Sequence, residues 1–388
     1  MKRVLLSIGV AATLLAARDA AWAQPEQLPE PLIEQKFDTG KESWLPLWFP
    51  LGEKAKISEE HAAENVKTGM GSLRFDYSVT QGQYNALLAP LQMRSVVTLQ
   101  SIRFWVKADH NTSLLFALRE KSGARYAATF FVPKDQWQRV EIATKDLVLQ
   151  SGHDDPKDDN GKLDLDEVDS MGLFDIDQVF VQGADPNGLA RTLLGIQPGE
   201  RTLYLDDLVM SSKPLSADNA PTKNAFVDEF KHPQAAWMSV GDVALKTVSD
   251  AETEDGVKFN ALQADYTQQA GRVAIISKFV PTGTLAGKTT MSFHAACKRR
   301  TTLVVQVEET SGGKYNAQVE VPVYAAPDPV FDAQTLAFAE FRRSDDSKDD
   351  NDQLDLEQVK QITFIDMTGI LGKGEGDNLL RISQLKVK

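Results

Sequence analysis

The sequence predicts an all-β protein made of two tandem antiparallel β-sandwich domains. Three observations carry this reading: side chains alternate with period two in several short stretches, the chain repeats itself, and 388 residues exceed what one hydrophobic core holds, roughly 250–300 residues.

The alternation is clearest where Ile102, Phe104 and Val106 interleave with Arg103, Trp105 and Lys107. It recurs where Leu114, Phe116 and Leu118 interleave with Leu115, Ala117 and Arg119. Glu120–Ala124 (EKSGA) then turns the chain into a further strand, Tyr126–Val132. Many short strands with little helical periodicity indicate a sandwich. One helical turn is expected after Leu163, because Asp164 with Glu167, and again Asp355 with Gln358, have capping-box spacing.

The repeat begins with an aromatic pair: Phe37–Trp44 (FDTGKESW) matches Phe230–Trp237 (FKHPQAAW). Asp76-Tyr77, Phe104, Gly123 and Tyr126 then return as Asp265-Tyr266, Phe293, Gly312 and Tyr315, all displaced by 189. KDDNGKLDLDEV (Lys157–Val168) returns as KDDNDQLDLEQV (Lys348–Val359) at 191, and Leu203–Leu205 as Leu380–Ile382 at 177. The shortening places fourteen extra residues in the first copy, between Ile176 and Arg201. The expected organisation is a first copy at 32–212, a linker at 213–224 rich in Ser, Pro, Ala and Asn, and a second copy at 225–388.

Residues 1–23 read as a secretory signal peptide: a basic start, an apolar stretch from Val4 to Ala17, and the cleavage pattern Ala21-Trp22-Ala23. Residues 24–31 then form an extended Pro-rich leader. The apolar stretch is too short for a permanent membrane span, so the expected location is periplasmic or extracellular, of the bacterial type. Removing the segment takes the net charge from −13 to −15. Such acidity disfavours nucleic acid and anionic membranes as partners. The lone cysteine, Cys297, cannot form an internal disulfide or a Cys-rich zinc site.

The strand and turn segments FWVKAD (Phe104–Asp109), LREKSGARYAATF (Leu118–Phe130), WQRVEI (Trp137–Ile142), GKLDLDEV (Gly161–Val168) and LYLDDL (Leu203–Leu208) resemble the galactose-binding-like jelly rolls. They are most similar to carbohydrate-binding modules of the family-eleven type. The resemblance covers nearly all of copy one and is degraded in copy two, where His294 replaces Trp105 and Ser383-Gln384 replaces Asp206-Asp207. It implies a structural calcium where the opening and closing strands lie side by side, with Asp38 and Asp206 as the matching carboxylates. Copy two has Lys231 and Ser383 there, so the ion would belong to the first domain alone. The Asp-rich repeat itself does not read as a calcium loop. With Gly161 set at the sixth position, Pro156 and its counterpart Ser347 stand where the first carboxylate belongs.

Alternation also defines a candidate ligand face. If Ile102, Phe104, Leu114 and Phe116 point inward, then Trp105, Leu115, Ala117, Arg119 and Phe131 point outward, with Trp48 and Tyr84 placed to line the rim. Sugars stack their C–H faces on aromatic rings while polar groups take the hydroxyls, so Trp105 with Arg119 and Phe131 suits a polysaccharide or oligosaccharide. The competing reading has this face covered by the fourteen-residue insertion or by the second copy. Trp44, Trp137 and Trp237 read as core. No G-x-S-x-G, H-E-x-x-H or phosphate-loop pattern occurs, so the expectation is a non-catalytic carbohydrate-binding protein. Two alternatives stay open: an adaptor docking another envelope or secreted protein, and a hydrolase with an unrecognised carboxylate pair.

Overall fold

A computed structural model describes residues 30–388 apart from 41, 50–54, 151–157, 183–187, 216–225, 232–235, 253–257, 324–330 and 350. The expected signal peptide, most of the leader and most of the linker lie outside the described residues.

The first half carries β1 (Ile33–Gln35), β2 (Leu45–Phe49), β3 (Lys56–Glu60), β4 (Ser72–Val79), β5 (Tyr84–Pro90) and β6 (Ser101–Ala108). It continues with β7 (Thr112–Glu120), β8 (Arg125–Val132), β9 (Gln138–Ala143), β10 (Val148–Leu149), β11 (Val168–Asp175) and β12 (Gly199–Ser211). Helices α1 (Asp177–Gln182) and α2 (Leu189–Leu194) fall between Ile176 and Arg201, the stretch that carries the fourteen extra residues. A front sheet runs β3-β4-β12-β6-β9 with β1 on β12, and a back sheet runs β10-β8-β7-β11-β5-β2. All pairings are antiparallel.

The second half repeats this order strand for strand. It comprises β13 (Phe226–Asp228), β14 (Met238–Val240), β15 (Val243–Glu252), β16 (Lys258–Gln268), β17 (Ala274–Phe279) and β18 (Thr290–Cys297). Next come β19 (Thr301–Glu309), β20 (Lys314–Val321), β21 (Asp332–Ala337), β22 (Arg342–Arg343), β23 (Val359–Asp366) and β24 (Gly376–Val387). Its sheets run β15-β16-β24-β18-β21, with β13 on β24, and β22-β20-β19-β23-β17-β14.

Each sandwich fills its interior with the residues the alternation points inward. Ile102, Phe104, Val106, Leu114, Phe116 and Leu118 are all buried, and the Phe104 ring lies 5.6 Å from both Phe116 and Phe130. Trp44 and Trp237 are fully buried, whereas Trp137 is only half-buried, at the turn into β9. The expected helical turn is much reduced: copy two has a three-residue 3-10 turn, Leu356–Gln358, and copy one a simple turn. Its capping carboxylates are engaged elsewhere. Asp164 and Asp355 accept from the Asn160 and Asn351 amides, while their own N–H groups donate to the buried Glu120 and Glu309.

The two sandwiches exchange side chains where they meet. Phe131, projecting from the outer side of the back sheet, joins the core of copy two, and Val240 from β14 joins the core of copy one. Each such burial is worth roughly 1.5–3 kcal/mol as an upper figure. The Ser239 N–H donates to Ser113 Oγ at 2.8 Å, and the Val273 N–H donates to the Leu193 carbonyl at 2.9 Å, so α2 of the insertion takes part in the joint. Gly241, at φ 73, passes so close that a Cβ would lie 1.8 Å from the Leu194 carbonyl oxygen.

Beside this joint lies a buried charge cluster. Arg201 Nη1 sits 2.9 Å from Asp175 and 3.0 Å from Asp177, and Tyr77 donates to Asp175 at 2.6 Å. His110 lies between Asp109, at 2.5 Å, and the Arg201–Asp175 pair. Two carboxylates share one guanidinium, leaving one excess negative charge with little water to screen it. Burial, reinforced by the Asp175 charge, pushes the Asp177 carboxyl up to about 6, while Arg201 and His110 hold Asp175 low against its own burial. Burial works against charge on His110, but its bonds to Asp109 and Asp175 outweigh it and raise the imidazole. A raised Asp177 makes the native state bind more protons than the unfolded chain from about pH 4 to 6, and a raised His110 extends this above about 6.5, so stability falls as pH rises through both windows. The melting temperature should therefore be higher at pH 5 than at pH 8, by the equivalent of about 1–2 kcal/mol. Asp177→Asn should shrink that gap; a wild-type melting temperature equal or higher at pH 8 contradicts the assignment.

Candidate ligand-binding faces

The five residues expected on one ligand face divide between two sheets. β6 and β7 follow each other in sequence but belong to the front and back sheets respectively, so their outward side chains point to opposite sides of the sandwich. Trp105 and Arg119 therefore do not form one platform.

Trp105 stands on the outer side of the front sheet, opposite Arg139 on β9 and Asp206 on β12. Arg103 and Lys107 flank it two residues away along β6, on the same side. Lys107 faces Tyr204 across the ladder, with its Nζ 5.7 Å from the ring centroid. Lys67 places its ammonium 4.3 Å from the centroid of the Trp105 ring. Trp105 is half-buried and Arg103 and Arg139 are exposed. Copy two has Ser292, His294 and Ala296 where copy one has Arg103, Trp105 and Lys107, and Arg381 where it has Tyr204. The same strands fold without these side chains, so folding alone does not demand them in copy one.

Arg119, Tyr84 and Phe131 lie on the outer side of the back sheet. Phe131 is 2% exposed and packs in the core of copy two, so it is not on an open face: the second copy covers the β8 side. The other side, across β7, β11, β5 and β2, is open among the described residues and largely apolar. One row of the ladder sets Leu115, Phe174, Ala86 and Leu47 side by side, and the next Ala117, Gly172, Leu88 and Leu45. Leu45 and Leu47 are half exposed, and the Tyr84 and Phe174 rings lie 6.1 Å apart. Arg119 sits at the far end from Tyr84, 4.0 Å from Asp169. Trp48 is on β2 opposite Asn85. Sequence reasoning missed Phe174, because Leu173-Phe174 offers two adjacent apolar residues and only the register shows which faces outward.

Asp38 and Asp206 do converge, on the turn Lys67–Met70. Asp206 Oδ2 accepts the N–H groups of Lys67 and Thr68 at 2.8 and 2.9 Å, and its Oδ1 accepts the Thr68 hydroxyl at 3.1 Å. Asp38 Oδ1 accepts the Met70 N–H at 2.5 Å. Phe37 and Asp207, beside the two carboxylates, have left-handed φ of 56° and 48°, repeated at Phe230 and Gln384. Calcium needs oxygens converging on a point, whereas here donors converge on the carboxylates. Among the described residues no three acidic, His or Cys side chains are grouped to hold a metal. The hydrogen bonds form a clasp that ties the turn bearing Lys67 to β12.

No family profile matches the sequence, and none of the curated proteins matches it. Among solved structures, the chain is similar to a family 11 carbohydrate-binding module from Clostridium thermocellum in complex with a β-1,3-1,4-mixed-linked tetrasaccharide: 16% identity, TM-score 0.33, covering 47% of this chain and 95% of that one. It is also similar to a tandem pair of family 22 modules from Paenibacillus barcinonensis, at 11% identity and TM-score 0.30, covering 92% of this chain and 97% of that one. A further likeness, to an exo-β-agarase, has 17% identity and TM-score 0.31 and covers 50% of this chain and 26% of that enzyme.

The clasp makes a direct prediction. Asp206→Ala strands two backbone N–H groups and should cost about 2–4 kcal/mol in denaturant unfolding. Treatment of the wild type with a chelator should leave its melting temperature unchanged; a fall restored by added calcium contradicts the clasp.

Proposed function

We propose that the chain is an exported, non-catalytic polysaccharide-binding protein whose ligand lies on the front-sheet face of copy one. The observation that supports this most is Trp105, a half-buried ring ringed by Lys67, Arg103, Lys107 and Arg139 on a surface that copy two does not reproduce. An aromatic floor with several hydrogen-bond donors is the composition that sugar rings require. The clasp through Asp206 supports the site by fixing the turn that holds Lys67 over the ring. Copy two, buttressing the back sheet, contributes rigidity and not ligand contacts.

A second reading has one specific observation in its favour. The open back-sheet face, with Leu45, Leu47 and Tyr84 exposed and no carboxylate along its two apolar rows, has the character of a protein-docking surface. On that reading the chain is an adaptor for another envelope or secreted protein.

Affinity electrophoresis of the mature chain through a panel of polysaccharides, with an assay for released reducing ends, separates the possibilities. Retardation by at least one polysaccharide is expected, with no reducing ends released. Trp105→Ala should weaken it at least tenfold, since loss of one stacked ring costs on the order of 1.5 kcal/mol or more. Arg119→Ala should leave it unchanged. Retardation that survives in the Trp105 variant rejects the front-sheet site, and released reducing ends reject a non-catalytic role.

A further inference from the structure

From the charges around Trp105 we infer that the ligand of this face is an acidic polysaccharide, one carrying carboxylate or sulfate groups; the inference rests on the glycan-binding reading and names its substrate class. A neutral sugar presents each hydroxyl as donor and acceptor together, so a site for it supplies acceptors as well as donors. The carboxylates nearest Trp105 on this face each already accept from a neighbour. Asp76 takes both Arg74 and Thr202, Glu141 pairs with Arg139 at 2.7 Å, Glu60 caps the N–H groups of His61 and Ala62, and Asp206 holds the Lys67 turn.

The donors are not so engaged. Among the described residues, no carboxylate pairs with Lys67, Arg103 or Lys107. Lys107 gives two bonds to neutral oxygens, the Glu64 carbonyl at 2.8 Å and Asn65 Oδ1 at 3.0 Å, and its charge stays unbalanced. This cationic group stands out in a chain of net charge −13. The complementary ligand brings acceptor oxygens with negative charge, and an apolar ring face for Trp105. The overall acidity of the chain selects against polyanions as densely charged as duplex DNA, whose phosphates would meet repulsion outside the patch. A sugar acid, with its charges spaced by neutral rings, fits both conditions.

The test compares polymers that share a backbone and differ in charge: polygalacturonate against its methyl ester, and dextran sulfate against dextran, titrated into the full mature chain. At least one acidic member should bind at least tenfold tighter than its neutral partner. Its log K should fall with log salt at a slope of about −1 to −3, as expected for three cations or fewer. Arg103→Gln and Lys67→Gln should each weaken binding about three- to tenfold and flatten the slope, with melting temperatures unchanged. Trp105→Ala should weaken binding to the acidic polymer while leaving the slope in place. Equal binding to both members of a pair, or binding to a neutral polysaccharide alone, overturns the acidic class and leaves glycan binding standing. Failure of every acidic and neutral polymer to bind overturns both. Duplex DNA held as tightly as the acidic glycan, or acidic binding untouched by Trp105→Ala, reduces the patch to a polyelectrolyte surface and overturns the inference.

Discussion

Copy two is anchored by an exchange of side chains. Phe131 leaves the outer surface of its own sheet to enter the second core, and Val240 crosses the other way. Because interiors are close-packed, an exchange of this kind fixes relative position more firmly than a surface contact does. What it fixes here is which surfaces remain available. Among the described residues, the β8 side of the back sheet is lost to the joint, while the β2 side stays open and apolar and the front sheet keeps half-buried Trp105 with exposed Arg103 and Arg139.

The joint also shows what a duplication does when its two products are no longer equivalent. Both copies keep a tyrosine hydroxyl on a buried aspartate at 2.6 Å, Tyr77 with Asp175 and Tyr266 with Asp366. In copy two the surroundings are neutral: Gln268, Asn378 and the Thr368 N–H complete the network around the Tyr266–Asp366 pair. In copy one the equivalent positions are ionic, with Arg201 in place of Asn378 and Asp177 in place of Thr368, and Asp177 reaches the Gly241 N–H of copy two at 3.4 Å. A charged cluster costs more to bury than an amide network of the same shape. It is found where the insertion and the second copy meet.

Period-two alternation made the inward residues of β6 and β7 legible, since burial acts on one side of a strand at a time. The repeat made the shared topology legible, because equal spacing of matching residues implies equal strand order. Alternation could not say which sheet a strand joins, so Trp105 and Arg119 look like neighbours in sequence and stand on opposite sides of the sandwich. The fate of Phe131 depends on a second copy whose placement no local pattern encodes. The capping-box signal after Leu163 was real chemistry with another outcome, because Glu120 and Asn160 compete successfully for the same backbone and carboxylate groups. The two short helices between Ile176 and Arg201 left no usable period, being six residues each.

On the proposed reading, ligand occupies the front-sheet face of copy one and not the back sheet. Hydroxyl-radical footprinting of the mature chain, with and without a saturating polysaccharide that it binds, tests this most directly. Ligand should protect Trp105 and leave Tyr84 and Phe174 as reactive as in the free protein. Protection of Tyr84 and Phe174 with Trp105 unchanged would contradict that reading.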